Sequence, residues 1–179
     1  MFVSLNGPTF NGNDYAVSAI KGGCSFAIVD EDRPEFQDQE NIFVVQNALI
    51  ALQELANYHR NKLKIPFIAL TGSNGKTTTK ELIREALSSQ YKCFATHGNL
   101  NNHIGVPLTL LEIKPDIEIV IVEMGANHVR EIADLCKIAE PTFGLITNIG
   151  LAHLDGFGGV DGVYKGKKEL FDYLINSKG

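Results

Sequence analysis

Two hydrophobic spacings alternate along most of the chain. Apolar runs of strand length fall at 65–70, 92–95, 117–122 and 142–147. Between them, apolar positions recur at helical spacing: Leu82, Ile83, Ala86 and Leu87 share one face of a helix expected over 76–89. Further helices are expected at about 104–111, 129–138 and 160–174. The runs at 117–122 and 142–147 are mostly apolar instead of alternating, the pattern of strands covered on both faces. Strand–helix alternation of this kind predicts an α/β fold with a parallel, doubly wound sheet and right-handed crossovers.

Ahead of residue 65 the pattern is looser. Strands are expected at 2–5, 26–29 and 42–45, with turn signals at Asn6-Gly7-Pro8 and Asn11-Gly12-Asn13. Asp14 can cap a short helix through Ala19 that stops at Gly22-Gly23. Asn47 can cap a longer helix in which Leu49, Leu52, Leu55 and Ala56 recur and which His59 and Arg60 close. The acidic segment 30–40 reads as a solvated connection. A boundary is expected at 61–64, just before Pro66, dividing a small α/β domain (1–64) from the first part of a larger nucleotide-binding domain (65–179).

Composition narrows the class. With 179 residues, 44% hydrophobic and 21% charged, the chain is ordinary for a globular protein. A net charge of -5 gives no electrostatic footprint for nucleic acid. The three cysteines, Cys24, Cys93 and Cys136, are far apart and form no CxxC, so they read as reduced thiols of a cytoplasmic protein. No apolar run approaches the length of a membrane span, and the N-terminus lacks a charged segment leading into an apolar one.

The chemistry gathers at Leu70-Thr71-Gly72-Ser73-Asn74-Gly75-Lys76-Thr77-Thr78-Thr79. A strand, a Gly-rich turn ending in Gly-Lys-Thr and an amphipathic helix make the context of a phosphate-binding loop, or P-loop. Gly72, Ser73, Asn74, Gly75, Lys76, Thr77 and Thr78 are therefore candidate nucleotide contacts. Lys76 would reach the outer phosphates and the Thr77 hydroxyl would hold Mg²⁺. The general pattern has an earlier glycine where this chain has Leu70, and Gly-Ser-Asn-Gly is also ordinary turn composition. Turn chemistry alone does not account for Gly-Lys-Thr-Thr-Thr placed where a strand meets a helix.

Ligands of open parallel sheets sit beyond the carboxyl ends of the strands. The loop, Glu123 after the third strand, and Asn148 with His153 after the fourth are thus expected on one rim. Glu123 reads as a Mg²⁺ ligand of the kind that follows an apolar strand, against an ordinary strand-end carboxylate. His153 is open between metal ligand, phosphate contact and solvated loop histidine, with Asp155 structural or supporting. The polar stretch His97, Asn99, Asn101, Asn102 and His103 could bind a polar substrate or only make turns. Lys165, Lys167 and Lys168 read by default as a charged, solvated helix face.

Several of these stretches resemble one family. Thr71-Gly72-Ser73-Asn74-Gly75-Lys76-Thr77-Thr78-Thr79-Lys80-Glu81 resembles the ATP loop of the Mur ligases of peptidoglycan synthesis, whose version starts Thr-Gly. The segment 98–107 (Gly-Asn-Leu-Asn-Asn-His-Ile-Gly-Val-Pro) is similar to one typical of the D-alanyl-D-alanine-adding members. Glu123-Met124-Gly125-Ala126-Asn127-His128, the stretch 147–155 and Lys165-Gly166-Lys167-Lys168-Glu169-Leu170-Phe171 extend the match from about 65 to 173. Before residue 65 it rests on Gly7-Pro8-Thr9-Phe10-Asn11-Gly12 and the helix from Ala48 to Arg60.

The resemblance implies a cytoplasmic, ATP- and Mg²⁺-dependent amide-bond ligase. A UDP-linked muramoyl-tripeptide carboxylate would attack the γ-phosphate to give an acyl phosphate, which the amine of D-alanyl-D-alanine would then displace. It implies catalytic roles for Lys76, His153 and Lys167, metal roles for Thr77, Glu123 and His153, and substrate contacts at Asn101, Asn102 and Asn127. Lys167 matches the lysine that family members carbamylate with CO₂, giving an anionic metal ligand; Lys165 is the competing assignment. The family carries further sequence on both sides of this stretch, so 1–179 reads as a fragment not expected to catalyse alone. A folylpolyglutamate-synthetase-like ligase is the alternative, although its loop reads Gly-Lys-Gly-Ser, and a P-loop module that binds nucleotide without ligase activity is another. An interaction domain without nucleotide is the last.

Overall fold

The computed structural model describes residues 1–151 and 153–177. They form two compact units, 1–55 and the described residues from 56 onward, which divide inside a helix a few residues ahead of the expected boundary at 61–64.

In the first unit, strands β1 (Phe2–Val3), β2 (Ala27–Val29) and β3 (Ile42–Val44) pair in parallel in that order. Helix α1 (Ala16–Lys21) begins later than expected, because Gly12–Tyr15 forms a separate 3-10 turn capped by the Asn11 side chain. Ala16, Ala27, Val29, Phe36 and Ile42 make the core. Phe36 corrects the reading of 30–40 as a solvated connection. Pro34–Phe36 is a 3-10 turn that buries the ring, and Arg33 holds the segment through Glu31 and, at 2.8 Å, Asp14. Acidic residues hid one large apolar anchor.

Helix α2 (Ala48–Lys62) leads into the second unit. There β4 (Phe67–Thr71), α3 (Lys76–Ser88), β5 (Cys93–Ala95), α4 (Gly105–Leu111), β6 (Ile119–Glu123), α5 (Glu131–Ala139) and β7 (Phe143–Ile146) alternate as expected. The short α6 (Leu154–Phe157), which no spacing announced, precedes α7 (Val160–Asn176). The four strands are all parallel, in the order β5-β6-β4-β7. Phe67, Val106, Leu110, Val120, Ile132 and Leu170 belong to one core of this unit.

Burial follows position in the sheet. Every residue of β6 is buried, 119–122 as their apolar run predicts and Glu123 with them. β7 is different: it is an edge strand, and Phe143 and Leu145 are exposed at 58% and 38%. The expectation that both its faces would be covered holds on one side only, where Leu170 and Leu174 of α7 lie over Gly144. Register sets the functional rim. Leu70 pairs with both Glu123 and Leu145, and Thr71 pairs with Ile146, so β4, β6 and β7 end level with one another.

Candidate nucleotide and metal site

The rim carries a cleft of about 430 Å³ lined by residues 73–78 together with Asn99, Asn101 and Glu123. Its floor is the turn between β4 and α3. Gly72 (φ 149°) passes so close to β7 that a Cβ would lie 2.0 Å from Thr147 Oγ1, and Gly75 (φ 75°) is the left-handed residue at the N-cap of α3. The first amides of a helix have no partner within it, and the helix dipole adds partial positive charge there. A phosphate is the natural occupant of such a loop. Lys76 Nζ donates to the Gly72 carbonyl at 2.9 Å, so the lysine is folded back over its own loop. Thr77 and Thr78 are exposed on the first turn of α3.

Glu123 faces this loop from the end of β6 and is 1% exposed. Its amide donates to Thr96 Oγ1 at 2.9 Å, and its Oε1 accepts from Asn101 Nδ2 at 2.8 Å. Among the described residues Oε2 is buried without a hydrogen-bond donor, and the nearest cation is the Lys80 ammonium at 4.0 Å. A buried carboxylate oxygen left this way is costly, and a divalent cation would satisfy it. Among the described residues no three His, Cys, Asp or Glu gather into a metal cage. Mg²⁺ usually keeps waters and binds through one or two carboxylates plus substrate phosphates, and Glu123 with the Thr77 hydroxyl fits that pattern.

The remaining sequence candidates take other places. Asn101 orients Glu123. Asn102 Oδ1 accepts from the amides of Ile104 and Gly105 at the start of α4, at 3.1 and 2.8 Å. Asn127 is exposed, and its amide donates to Glu131 Oε2 at 2.6 Å. His153 is exposed, left-handed (φ 57°) and the N-cap of α6. It does not line the cleft, and neither do Asn102, Asn127 or Lys167. Ala152, within the 147–155 stretch, lies outside the described residues.

The lysine group needs a correction. Lys165 and Lys168 are exposed as expected, but Lys167 is 2% exposed on the inner side of α7. Its Nζ donates to the Ala126 carbonyl at 3.4 Å and lies 5.2 Å from the Phe157 ring centre. Burial first, then the positive charge of Lys76, pulls its pKa from 10.5 down to about 8 against the pull of Glu131 and Glu169. The helical period places Lys167 on the same side as Val163 and Leu170, a signal that outweighs residue type here.

Lys80 and Thr96 were missed outright. Lys80, 1% exposed, donates to the Thr96 carbonyl at 2.6 Å and lies 3.1 Å from Glu81. A lysine in an amphipathic helix reads as solvated, so hydropathy gave no sign of it.

Comparison with known proteins matches residues 70–178 to the family described as Mur ligase middle domain. The UDP-N-acetylmuramoyl-tripeptide–D-alanyl-D-alanine ligase of Escherichia coli (strain K12) is 40% identical over 174 residues, 97% of this chain and 38% of that protein. The enzyme of the same name from Bacillus subtilis (strain 168) is 37% identical over the same coverage. A crystal structure of MurF from Acinetobacter baumannii superposes with a TM-score of 0.88 at 39% identity, covering 97% of this chain and 38% of that one. MurF from Thermotoga maritima, solved in complex with ADP, gives a TM-score of 0.87 at 33% identity, covering 96% and 39%. The chain thus spans 38% of the length of these curated relatives.

Proposed function

The chain belongs to the Mur ligase family, and we propose from that premise that it forms part of a cytoplasmic, ATP-dependent ligase joining D-alanyl-D-alanine to a UDP-N-acetylmuramoyl-tripeptide. The observation that carries the reading is the facing pair in one cleft: a phosphate loop, and a buried Glu123 whose Oε2 has no donor among the described residues. Among the described residues no helix is long and apolar enough to cross a membrane.

In this reading the amides at the start of α3 and the Lys76 ammonium hold the ATP phosphates, Lys76 leaving the Gly72 carbonyl as they arrive. Glu123 and Thr77 would hold Mg²⁺, whose charge would offset that of the phosphates. The tripeptide carboxylate attacks the γ-phosphorus, and the bond to the ADP oxygen breaks. The dipeptide amine then attacks the acyl carbon, and inorganic phosphate leaves with the former carboxylate oxygen. The protein contributes position and fixed charge. Asn101 keeps Glu123 aimed at the loop, while Asn102, Asn127 and His153 stand as candidate substrate or metal contacts of the assembled enzyme. The first unit, with the turns after β1, is read as part of the UDP-sugar-peptide domain.

Lys167 fits the carbamylated role for a physical reason. CO₂ reacts with a neutral amine, losing a proton to give a carbamate, and a pKa near 8 supplies far more neutral amine at pH 7 than one of 10.5. The product is anionic, which would turn the repulsion from Lys76 into attraction. The names and structures of the relatives favour this ligase over a folylpolyglutamate-type enzyme.

Thermal unfolding of the chain with and without millimolar Mg²⁺–ATP tests the site, alongside Lys76→Ala. Ligand that binds only the folded state stabilises it by roughly 2.7 kcal/mol at a hundred times Kd. A raised midpoint in the parent that Lys76→Ala abolishes is expected. No shift in the parent overturns the assignment of the loop.

A further inference from the structure

The segment that follows β7 grips the phosphate loop at Asn74. The Asn148 side chain meets the backbone of Asn74 at both of its polar groups: Oδ1 accepts from the Asn74 amide at 3.0 Å, and Nδ2 donates to the Asn74 carbonyl at 3.0 Å. A side-chain amide used this way imitates a neighbouring strand. Thr147 Oγ1 donates to the same Asn74 carbonyl at 2.7 Å. One residue earlier, the Ser73 amide donates to the Asn148 carbonyl at 3.1 Å, and Ser73 Oγ accepts from the Gly150 amide at 2.9 Å.

We propose that Asn148, assisted by the Thr147 hydroxyl, is a positioning residue that presets the phosphate loop. The inference rests on reading the loop as a nucleotide site. The contacts divide the loop's amides into two sets. Those of Ser73 and Asn74 are spent on Asn148, just beyond β7, so the amides from Gly75 into the first turn of α3 are the ones left for a phosphate. Without the clasp, Asn74 can rotate, its carbonyl can swing toward the cleft, and a negative dipole end would meet an anion. An ordered loop loses no conformational freedom when the ligand arrives, which is where preorganisation gains affinity. The clasp lies at the solvent edge, since Asn74 and Asn148 are both exposed. Its hydrogen bonds compete with water, so their loss costs little stability. Affinity is therefore the quantity it controls.

The test measures Mg²⁺–ADP binding by titration calorimetry, together with amide exchange of the unliganded chain. Asn148→Ala should weaken ADP binding about tenfold while shifting the unliganded midpoint by no more than a few degrees, and it should speed exchange at Ser73 and Asn74. Asn148→Asp, nearly isosteric, keeps an acceptor for the Asn74 amide but sets a carboxylate oxygen against the Asn74 carbonyl, and should weaken binding at least as much. Thr147→Ser, which keeps the hydroxyl, should bind like the parent. If Asn148→Ala and Asn148→Asp bind ADP within twofold of a parent that binds it, the clasp does not position the loop. A lowered midpoint with unchanged affinity would make Asn148 structural only and overturns the proposal. If the parent itself fails to bind ADP, the nucleotide reading falls, and the clasp with it.

Discussion

A lysine with 2% exposure and, among the described residues, no carboxylate within salt-bridge distance destabilises the fold that contains it as long as it stays charged. For Lys167 the sign is set by the direction of its shift. The folded-state pKa is about 8 and the ordinary value is 10.5, so the folded chain holds this proton more weakly than the unfolded chain does. Below pH 8 the amine is protonated in both states and the full cost of burying it is present. Between about 8 and 10.5 the unfolded state binds more proton, and stability from this group rises with pH. Lys167→Met should therefore be more stable than the parent at pH 7 in CO₂-free buffer, by roughly 3 kcal/mol. That advantage should shrink toward pH 10. Paired urea melts at the two pH values check it, and a pH-independent difference would mean the cost is one of packing. Retaining so poorly placed a charge makes sense if the amine is kept for its reactivity.

At the scale of elements, α5 is capped at both ends by other helices. Its N-cap, Arg130, is left-handed (φ 80°) and makes no side-chain cap, which is why the helix starts at Glu131 and not at 129. Glu169 of α7 supplies the cap: Oε1 accepts from the Arg130 amide at 2.6 Å and Oε2 from the Ala133 amide at 2.9 Å. At the other end the Arg60 guanidinium, buried and stacked 3.9 Å over Phe67, donates to the carbonyls of Ala139 and Glu140, each at 2.7 Å. Glu169→Ala should cost about 1 kcal/mol, as for a lost cap. Arg60→Ala should cost about 3 kcal/mol, because it strands carbonyls in a dry site. Equilibrium urea unfolding distinguishes the two, and equal losses would contradict this account of the ends. These contacts also explain where sequence reading stops. The alternation of strands and helices was legible because apolar runs and helical spacing are local. The boundary inside α2 was not, since Asn57 and Arg60 reach partners some 80 positions away. Phe36 and Lys80 were hidden for the same reason: burial is decided by what the chain packs against later.

At the scale of the whole molecule, the candidate site was legible wherever a motif coincided with a strand end. The loop, Glu123 and Asn148 came together because a parallel sheet brings strand ends to one rim. His153 was placed on that rim by proximity in sequence, but it caps α6 outside the cleft, so an interval of a few residues beyond a strand does not determine position. The candidate nucleotide cleft draws its lining residues from the second unit. Binding there must raise the free energy of every opening that destroys the cleft, and leave untouched any local opening that does not. Amide exchange with saturating Mg²⁺–ADP should accordingly slow most at 72–79, at the end of β6 and at 147–150, where the loop, Glu123 and the clasp converge. The amides of β1, β2 and β3, in the first unit, should keep their unliganded rates, since the lining residues of the cleft all belong to the second. Slowing confined to other surfaces would place the nucleotide elsewhere. Equal slowing throughout both units would mean that ADP is felt only through global unfolding.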